Sequence, residues 1–336
     1  MIEAKQLQKA FPVKQGLLQT FISAISGKKI FLRAVNGVSF RMQKGEIMGL
    51  AGESGCGKTT TGMLLLGLYP TTGGSVLFEG KDIASLRGER LANFRSKAQL
   101  IFQDPYESLN PRFTVRKTIE EPLIVNKIRN RAERSERLIE AMERARLTPL
   151  EAFLDKYPHE LSGGERQRVC IARAIVLKPI LLVADEAVSM LDVSIRASIL
   201  NLLRELTQEM QMATVYISHD LSLLGSICSK IAIMYAGEIL EMGKPENIVN
   251  SPLHPYTKAL ITSVPVPEFY KRKSKPLLLK GEPPDLINFP EGCNFQPRCE
   301  VAEAKCITQK PQLCEFTPGH FVSCNLARGP FCREDT

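Results

Sequence analysis

Eight residues constrain this chain more than any others: Gly52-Glu53-Ser54-Gly55-Cys56-Gly57-Lys58-Thr59, a G-x-x-x-x-G-K-T loop. Such a loop binds phosphate only between a buried strand and a helix. Both flanks fit, since Ile47 to Ala51 is a short apolar run and Thr59 to Leu68 reads as a helix stopped at Tyr69–Pro70. The glycines let the backbone curl so that successive N–H groups converge on a phosphate, and the helix start adds its positive dipole end. Lys58 supplies a counter-charge for the β- and γ-phosphates, and Thr59 a hydroxyl for Mg²⁺. Ser54, Gly55, Cys56, Gly57, Lys58, Thr59 and Thr60 are the candidate nucleotide-binding set, with no chemistry assigned to the Cys56 thiol.

The rest of the chain supplies what the loop needs. Ile180 to Ala184 is a continuous apolar run, as a strand buried on both faces should be. It delivers Asp185 beside the phosphates, where a carboxylate can hold Mg²⁺, and Glu186 next to it can polarise an attacking water. Val35 to Met42, Ser75 to Phe78, Ala213 to Ser218 and Ile231 to Tyr235 also read as strands. Arg131 to Arg146, Glu165 to Leu177 and Val193 to Met210 read as helices. This alternation predicts a mostly parallel sheet with helices on both faces. Leu161-Ser162-Gly163-Gly164-Glu165-Arg166-Gln167-Arg168 opens a helix with a serine and two glycines, which makes a second anion-binding helix start. One subunit already has its phosphate loop, so the spare site suits the nucleotide of a facing subunit.

The Leu161 to Arg168 stretch resembles the signature motif of ABC ATPases, and the resemblance covers roughly residues 1–263. It implies an ABC-type nucleotide-binding domain with an antiparallel β part and a helical subdomain at about 105–175. It implies that Gln103, in Phe102-Gln103-Asp104-Pro105, senses Mg²⁺ and the γ-phosphate. Ser189-Met190-Leu191-Asp192 would cross a dimer interface, His219 would be the switch histidine, and Phe11 would stack on adenine. The resemblance thus sets Glu186, His219 and Gln103 as catalytic residues. Thr59, Gln103 and Asp185 would hold Mg²⁺, and Ser162, Gly163 and Gly164 would serve ATP across the interface. The family normally has Pro after the Asp-Glu pair, and this chain has Ala187, which puts the rigidity of that loop in question.

Composition limits the alternatives. The formal net charge is +8, and the only tight basic run, Lys271-Arg272-Lys273 with Lys275, reads as a solvated linker. No nucleic-acid partner is expected. No apolar run approaches the roughly 20 residues of a membrane span, and Leu17 to Ile25 is too short. After Val264 the chain changes character: ten of its 21 prolines lie from Pro265 to Pro330, and six of its nine cysteines lie after residue 290. A loop-rich extension over 264–336 that needs a staple is the expectation, with regular helices and strands improbable. Cys293, Cys299, Cys306 and Cys324 could hold zinc or an iron–sulfur cluster, and the spacing leaves both open.

Gly292 to Cys299, His320 to Cys324, His254-Pro255-Tyr256-Thr257 and Gly281-Glu282-Pro283-Pro284 look like the ATP-binding subunits of dipeptide, oligopeptide and nickel importers. That resemblance implies a 4Fe–4S cluster on Cys293, Cys299, Cys306 and Cys324, beside the cofactors ATP and Mg²⁺. Cys314 and Cys332 fall outside the pattern as spare thiols, and His320 stands as a substitute ligand. The partners implied are two membrane-spanning permease subunits, a second homologous ATP-binding subunit forming a heterodimer, and an extracytoplasmic substrate-binding protein. The location implied is the cytoplasmic face of the cell membrane, and the function is powering import of di- or oligopeptides, with nickel as the alternative cargo. From another class, a soluble ABC ATPase acting on nucleic acid or the ribosome is the rival reading.

Overall fold

A computed structural model describes residues 1–13, 30–263, 281–282 and 285–327. The Leu17 to Ile25 segment, the basic run at Lys271 to Lys275, Cys332 and the expected boundary at 263/264 lie outside the described residues or at their edge. Two sheets form the frame. The first is antiparallel and has the order β2-β1-β4-β5, with β1 Ile2–Pro12, β2 Phe31–Met42, β4 Gly73–Phe78 and β5 Lys81–Asp82. The second has eight strands: β3 Ile47–Ala51, β6 Ala98–Ile101, β7 Leu181–Asp185, β8 Ala213–Ile217, β9 Lys230–Tyr235, β10 Glu238–Gly243, β11 Cys314–Thr317 and β12 His320–Val322. Their order is β11-β12-β10-β9-β3-β8-β7-β6, parallel from β9 to β6 and antiparallel from β9 outward.

Every residue of β3, β7 and β8 is buried, as their largely apolar sequences require, with only Asp185 and Thr214 polar. Period-2 alternation splits β7 between two cores. Leu182 and Ala184 join one apolar cluster, while Leu181 and Val183 join the other. Helices cover both faces. The strand β3 feeds α1 (Lys58–Leu65), and α2 (Gly88–Lys97) precedes β6. Between β6 and β7 there are only helices and turns: α3 (Pro105–Ser108), α4 (Val115–Val125), α5 (Arg131–Arg144) and α6 (Gly163–Ile175). The α5 helix starts on Asn130, whose side chain accepts from Ala132 N–H, and carries i,i+4 pairs Glu133–Arg137 and Glu140–Arg144 on its open side. Its inner side buries Leu138, Ala141 and Met142. Then α7 (Val193–Glu209) leads to β8, α8 (Leu221–Ile227) to β9, and α9 (Pro245–Asn250) and α10 (Pro255–Ser263) follow β10.

The C-terminal segment departs from the sequence expectation. It holds two strands and a short helix, α11 (Ala304–Thr308). An edge strand needs only a few residues when a core strand offers its free side, and β12 takes that side of β10 through Glu241↔Val322 and Met242↔Phe321. Nor does the segment build a core alone. Cys293, Phe295 and Cys306 share the apolar cluster of Tyr235, Tyr256 and Ile231. Borrowed burial supplies what its own short sequence lacks. Cys314, expected as a spare thiol, is disulfide-bonded.

Candidate active site

The phosphate loop runs from the end of β3 into α1. Gly57 caps α1 with φ 101°, and a Cβ there would lie 2.2 Å from Ala34 O, so only glycine fits. Lys58 is buried, and its Nζ donates to Gly52 O (2.8 Å) and Glu53 O (2.9 Å). The amine is therefore held at the loop mouth by carbonyls that also orient it. Ser54, Gly55 and Thr59 are exposed there, as groups awaiting a phosphate must be. The Cys56 thiol is buried, 3.7 Å from Lys58 Nζ, and burial raises its pKa. It stays a neutral thiol, in keeping with the absence of assigned chemistry.

Adjacent strands bring the carboxylates to this mouth. Asp185 ends β7, and burial raises the pKa of its carboxyl while the Thr59 hydrogen bond and the Lys58 charge oppose that shift. Thr59 and Asp185 are thus neighbours, which suits a shared divalent cation. Glu186 follows with φ 46°, an unfavourable region for a non-glycine residue, and its N–H is fixed on Ile217 O at 2.9 Å. Its carboxylate receives two side chains, Gln103 Nε2 on Oε2 at 3.0 Å and His219 Nδ1 on Oε1 at 2.9 Å. Gln103 comes from the turn after β6 and His219 from the turn after β8. Two residues, one 83 positions before Glu186 and one 33 positions after it, so converge on its carboxylate. The His219 ring is 64% exposed, which leaves its Nε2 side open to a ligand.

Ala187, which replaces the expected Pro, is buried, and the following loop is fastened by other means. Ser189 N–H bonds Glu186 O and Leu191 N–H bonds Val188 O, while Arg196 reaches Leu191 O and Ser189 O. These bonds replace the ring constraint that proline would supply.

The helix start at Ser162 is capped. Ser162 caps α6 by accepting from Glu165 N–H (3.3 Å), and the Glu165 carboxylate accepts from Ser162 N–H (2.7 Å). Ser162 is exposed. Gly164 has a further role that the sequence did not reveal: a Cβ there would lie 2.9 Å from Ile195 Cγ2, so it lets α6 approach α7. Farther along the chain, Met190 is 58% and Val193 79% exposed. Phe11, near the end of β1, meets Tyr69 edge-on at 5.5 Å with Lys9 Nζ 5.0 Å from its ring. It lies on the strand paired to β2, which carries Ala34 past Gly57.

The four tail thiols are free, Cys293 and Cys306 buried and Cys299 and Cys324 half-buried. Burial pushes Cys293 up to about 11, and the charges of Cys324, Cys306 and Cys299 add to that. Cys299 and Cys324 are likewise raised, by burial first and by neighbouring thiols second. The four therefore lie in one electrostatic neighbourhood. Among the described residues, no group of three or more His, Cys, Asp or Glu is placed to hold a single metal ion. His320 is turned elsewhere: its Nε2 pairs with buried Glu241 at 2.7 Å. Two residues outside the sequence-derived set also touch the phosphate loop. Tyr256 OH accepts from Glu53 N–H at 3.0 Å, and Arg298 forks onto the Glu53 carboxylate. Both lie in stretches quoted above for the importer resemblance, but nothing local in the sequence ties them to Glu53.

The comparisons agree with this geometry. Residues 35–189 match the ABC transporter family, and residues 240–306 match the family described as the oligopeptide/dipeptide transporter C-terminal region. The chain is similar to the oligopeptide transport ATP-binding protein AppF of Bacillus subtilis, 44% identical over 97% of each chain. It is also similar to a probable peptide ABC transporter ATP-binding protein, y4tS, of Sinorhizobium fredii, 42% identical over 97% of this chain and 90% of that one. Among solved structures, the ATP-binding cassette MJ0796, a dimer in a post-hydrolysis state bound to ADP and Pi, superposes with TM-score 0.61 at 26% identity, over 73% of this chain and 99% of that one. The fold of cbiO1 from Clostridium perfringens, part of an ABC transporter complex, matches with TM-score 0.63 over 74% of this chain and 90% of that one. With a phosphate loop, a carboxylate held by glutamine and histidine, and relatives alike from end to end, the chain belongs to the ABC transporter ATP-binding family, in its oligopeptide/dipeptide branch, and is an ATPase of that type.

Proposed function

We propose that this ATPase powers the import of di- or oligopeptides through separate membrane-spanning subunits, working as one half of a cassette dimer at the cytoplasmic face of the cell membrane. The convergence of Gln103 and His219 on Glu186 is the observation that carries the mechanism. Lys58 and the loop N–H groups bind the β- and γ-phosphates, while Thr59, Asp185 and Gln103 would hold Mg²⁺, which would supply positive charge to the phosphates. Glu186 accepts a proton from the attacking water, and His219 steadies that carboxylate through Nδ1 while its other face meets the γ-phosphate. Phe11 stacks on the adenine. Ser162, Gly163 and Gly164 close on the nucleotide of the facing subunit. Tyr106, 62% exposed, and Phe102, 46% exposed, flank Gln103 and offer an apolar contact for a membrane subunit. Among the described residues no helix is long and apolar enough to cross a membrane, so the translocation path is assigned to those partners. An extracytoplasmic binding protein and a second, homologous ATPase complete the assembly.

The peptide cargo is supported by the printed functions of the relatives and by the match over residues 240–306. In the tail, we assign Cys293, Cys299, Cys306 and Cys324, all free thiols, to a 4Fe–4S cluster on the importer resemblance, while among the described residues no group of three or more His, Cys, Asp or Glu is placed to hold a metal ion. A bound cluster would cross-link the tail. Two measurements test these readings. Affinity purification from the native membrane should recover two permeases and a second ATPase, and proteoliposomes of that complex should take up labelled peptide on addition of ATP. Uptake of nickel alone, or recovery of RNA in place of permeases, would replace the cargo reading. Anaerobic preparation should yield stoichiometric iron and sulfide that fall in Cys324→Ser, whereas stoichiometric zinc without iron would overturn the cluster.

A further inference from the structure

The phosphate loop is fastened from outside the ATPase core. Glu53, its second residue, has all its polar groups engaged. Its carbonyl accepts from Lys58 Nζ at 2.9 Å, and its N–H donates to Tyr256 OH at 3.0 Å. Its carboxylate takes a bidentate fork from Arg298, Nη1 to Oε2 at 2.7 Å and Nη2 to Oε1 at 3.1 Å. These partners are 245 residues apart in sequence. Arg298 is itself fixed. Its side chain is 7% exposed, its guanidinium lies 5.8 Å from the Tyr235 ring centroid, and its N–H bonds Phe295 O. Phe295 in turn is wedged among Tyr235, Tyr256 and His254 at 5.3, 5.3 and 5.6 Å.

This arrangement has an electrostatic purpose. A carboxylate in a loop that must bind a triphosphate repels its ligand, and low local dielectric magnifies the repulsion. The Arg298 fork neutralises that charge and draws it to one side, in the strongest geometry a carboxylate can accept. Because the same residue's carbonyl orients Lys58, the fork also sets where the phosphate-binding amine stands. We propose that Arg298 is a positioning residue for ATP binding, acting through Glu53, so that the C-terminal segment completes the phosphate loop. The inference rests on the ATP site alone and does not depend on the cargo or on a cluster in the tail.

The test uses the full-length chain, with Kd for a fluorescent ATP analogue in Mg²⁺, and steady-state ATPase kinetics of the assembled transporter. Arg298→Gln should weaken nucleotide binding by about tenfold, as expected for losing a charged hydrogen-bonded pair. KM should rise while kcat holds, since Gln103, Glu186 and His219 are untouched. Arg298→Lys, which keeps the charge but not the fork, should fall between. Glu53→Gln placed in the Arg298→Gln background should recover most of the lost affinity, because the unpaired carboxylate is gone. A merely structural role for Arg298 gives no such suppression. Parental affinity in Arg298→Gln, or a double variant no better than Arg298→Gln, would overturn the proposal.

Discussion

At the scale of single residues, the site depends on how Glu186 is held. Its backbone adopts φ 46°, and its two carboxylate oxygens are divided between Gln103 and His219. A carboxylate so fixed can accept a proton without reorienting, and an amide of the same shape cannot. Glu186→Gln should therefore keep ATP binding and lose ATPase turnover by about a hundredfold or more, the usual contribution of a general base. Rapid-quench assay of bound ATP checks this, and a variant hydrolysing at the parental rate would remove Glu186 as the base. These residues were legible in the sequence because each lies in a short contiguous motif: Phe102 to Pro105, Ile180 to Glu186, Ile217 to Asp220. The Arg298–Glu53 fork was not, since nothing in either local sequence specifies a partner 245 residues away. The role of Gly164 was half legible: the sequence marked it as a helix start, while its contact with Ile195 exists only once α6 and α7 are packed.

At the scale of elements, the parallel strands β3, β7, β8 and β9 read from their apolar runs, whereas β6, Ala98-Gln99-Leu100-Ile101, is short and broken by a polar residue and did not. The tail strands did not read, because β11 and β12 are three or four residues long and are stabilised by an existing sheet edge, not by their own pattern. What joins them to the core is polar as well as apolar. Glu241, fully buried on β10, accepts from Leu253 N–H (2.8 Å), His254 N–H (2.9 Å) and His320 Nε2 (2.7 Å). His254 serves as an acceptor too, taking Tyr256 N–H on Nδ1 at 3.0 Å, so its ring must be neutral. Burial lowers its pKa from the usual 6.5 to about 4, against the pull of Glu241 and with the help of Lys258. The folded pKa lies below the unfolded one, so acid favours the unfolded chain. The stabilising contribution is complete above about pH 6.5 and is lost as pH falls toward about 4, at up to ~1.4 kcal/mol per pH unit. Urea midpoints of the full-length chain should fall through that window. In His254→Gln, whose amide oxygen can still accept the Tyr256 N–H, the fall should be shallower. Equal slopes in the two proteins would show that His254 does not carry this pH dependence.

At the scale of the whole molecule, the chain is one half of a machine. Its own phosphate loop is held by the tail through Arg298 on Glu53, while a second capped helix start, at Ser162, stands exposed. The capping box ties Ser162 into its own chain: its hydroxyl oxygen accepts from Glu165 N–H, and the hydroxyl also hydrogen-bonds the Glu165 carboxylate, so donating to a partner's phosphate requires it to turn from Glu165. Met190 and Val193 are also exposed, and the similar cassette MJ0796 is a dimer in its ADP- and Pi-bound state. Ser162→Arg should therefore leave nucleotide binding to the subunit's own loop at parental affinity while abolishing hydrolysis in the assembled transporter, because a long side chain at the helix start blocks closure on the partner's phosphates. The change also removes a cap worth about 1 kcal/mol. Ser162→Ala, which loses the cap but adds no bulk, separates the two effects. It should match Ser162→Arg in melting temperature and exceed it in ATPase rate. If the two variants hydrolyse ATP equally, the loss belongs to the cap, and Ser162 has no place at the interface.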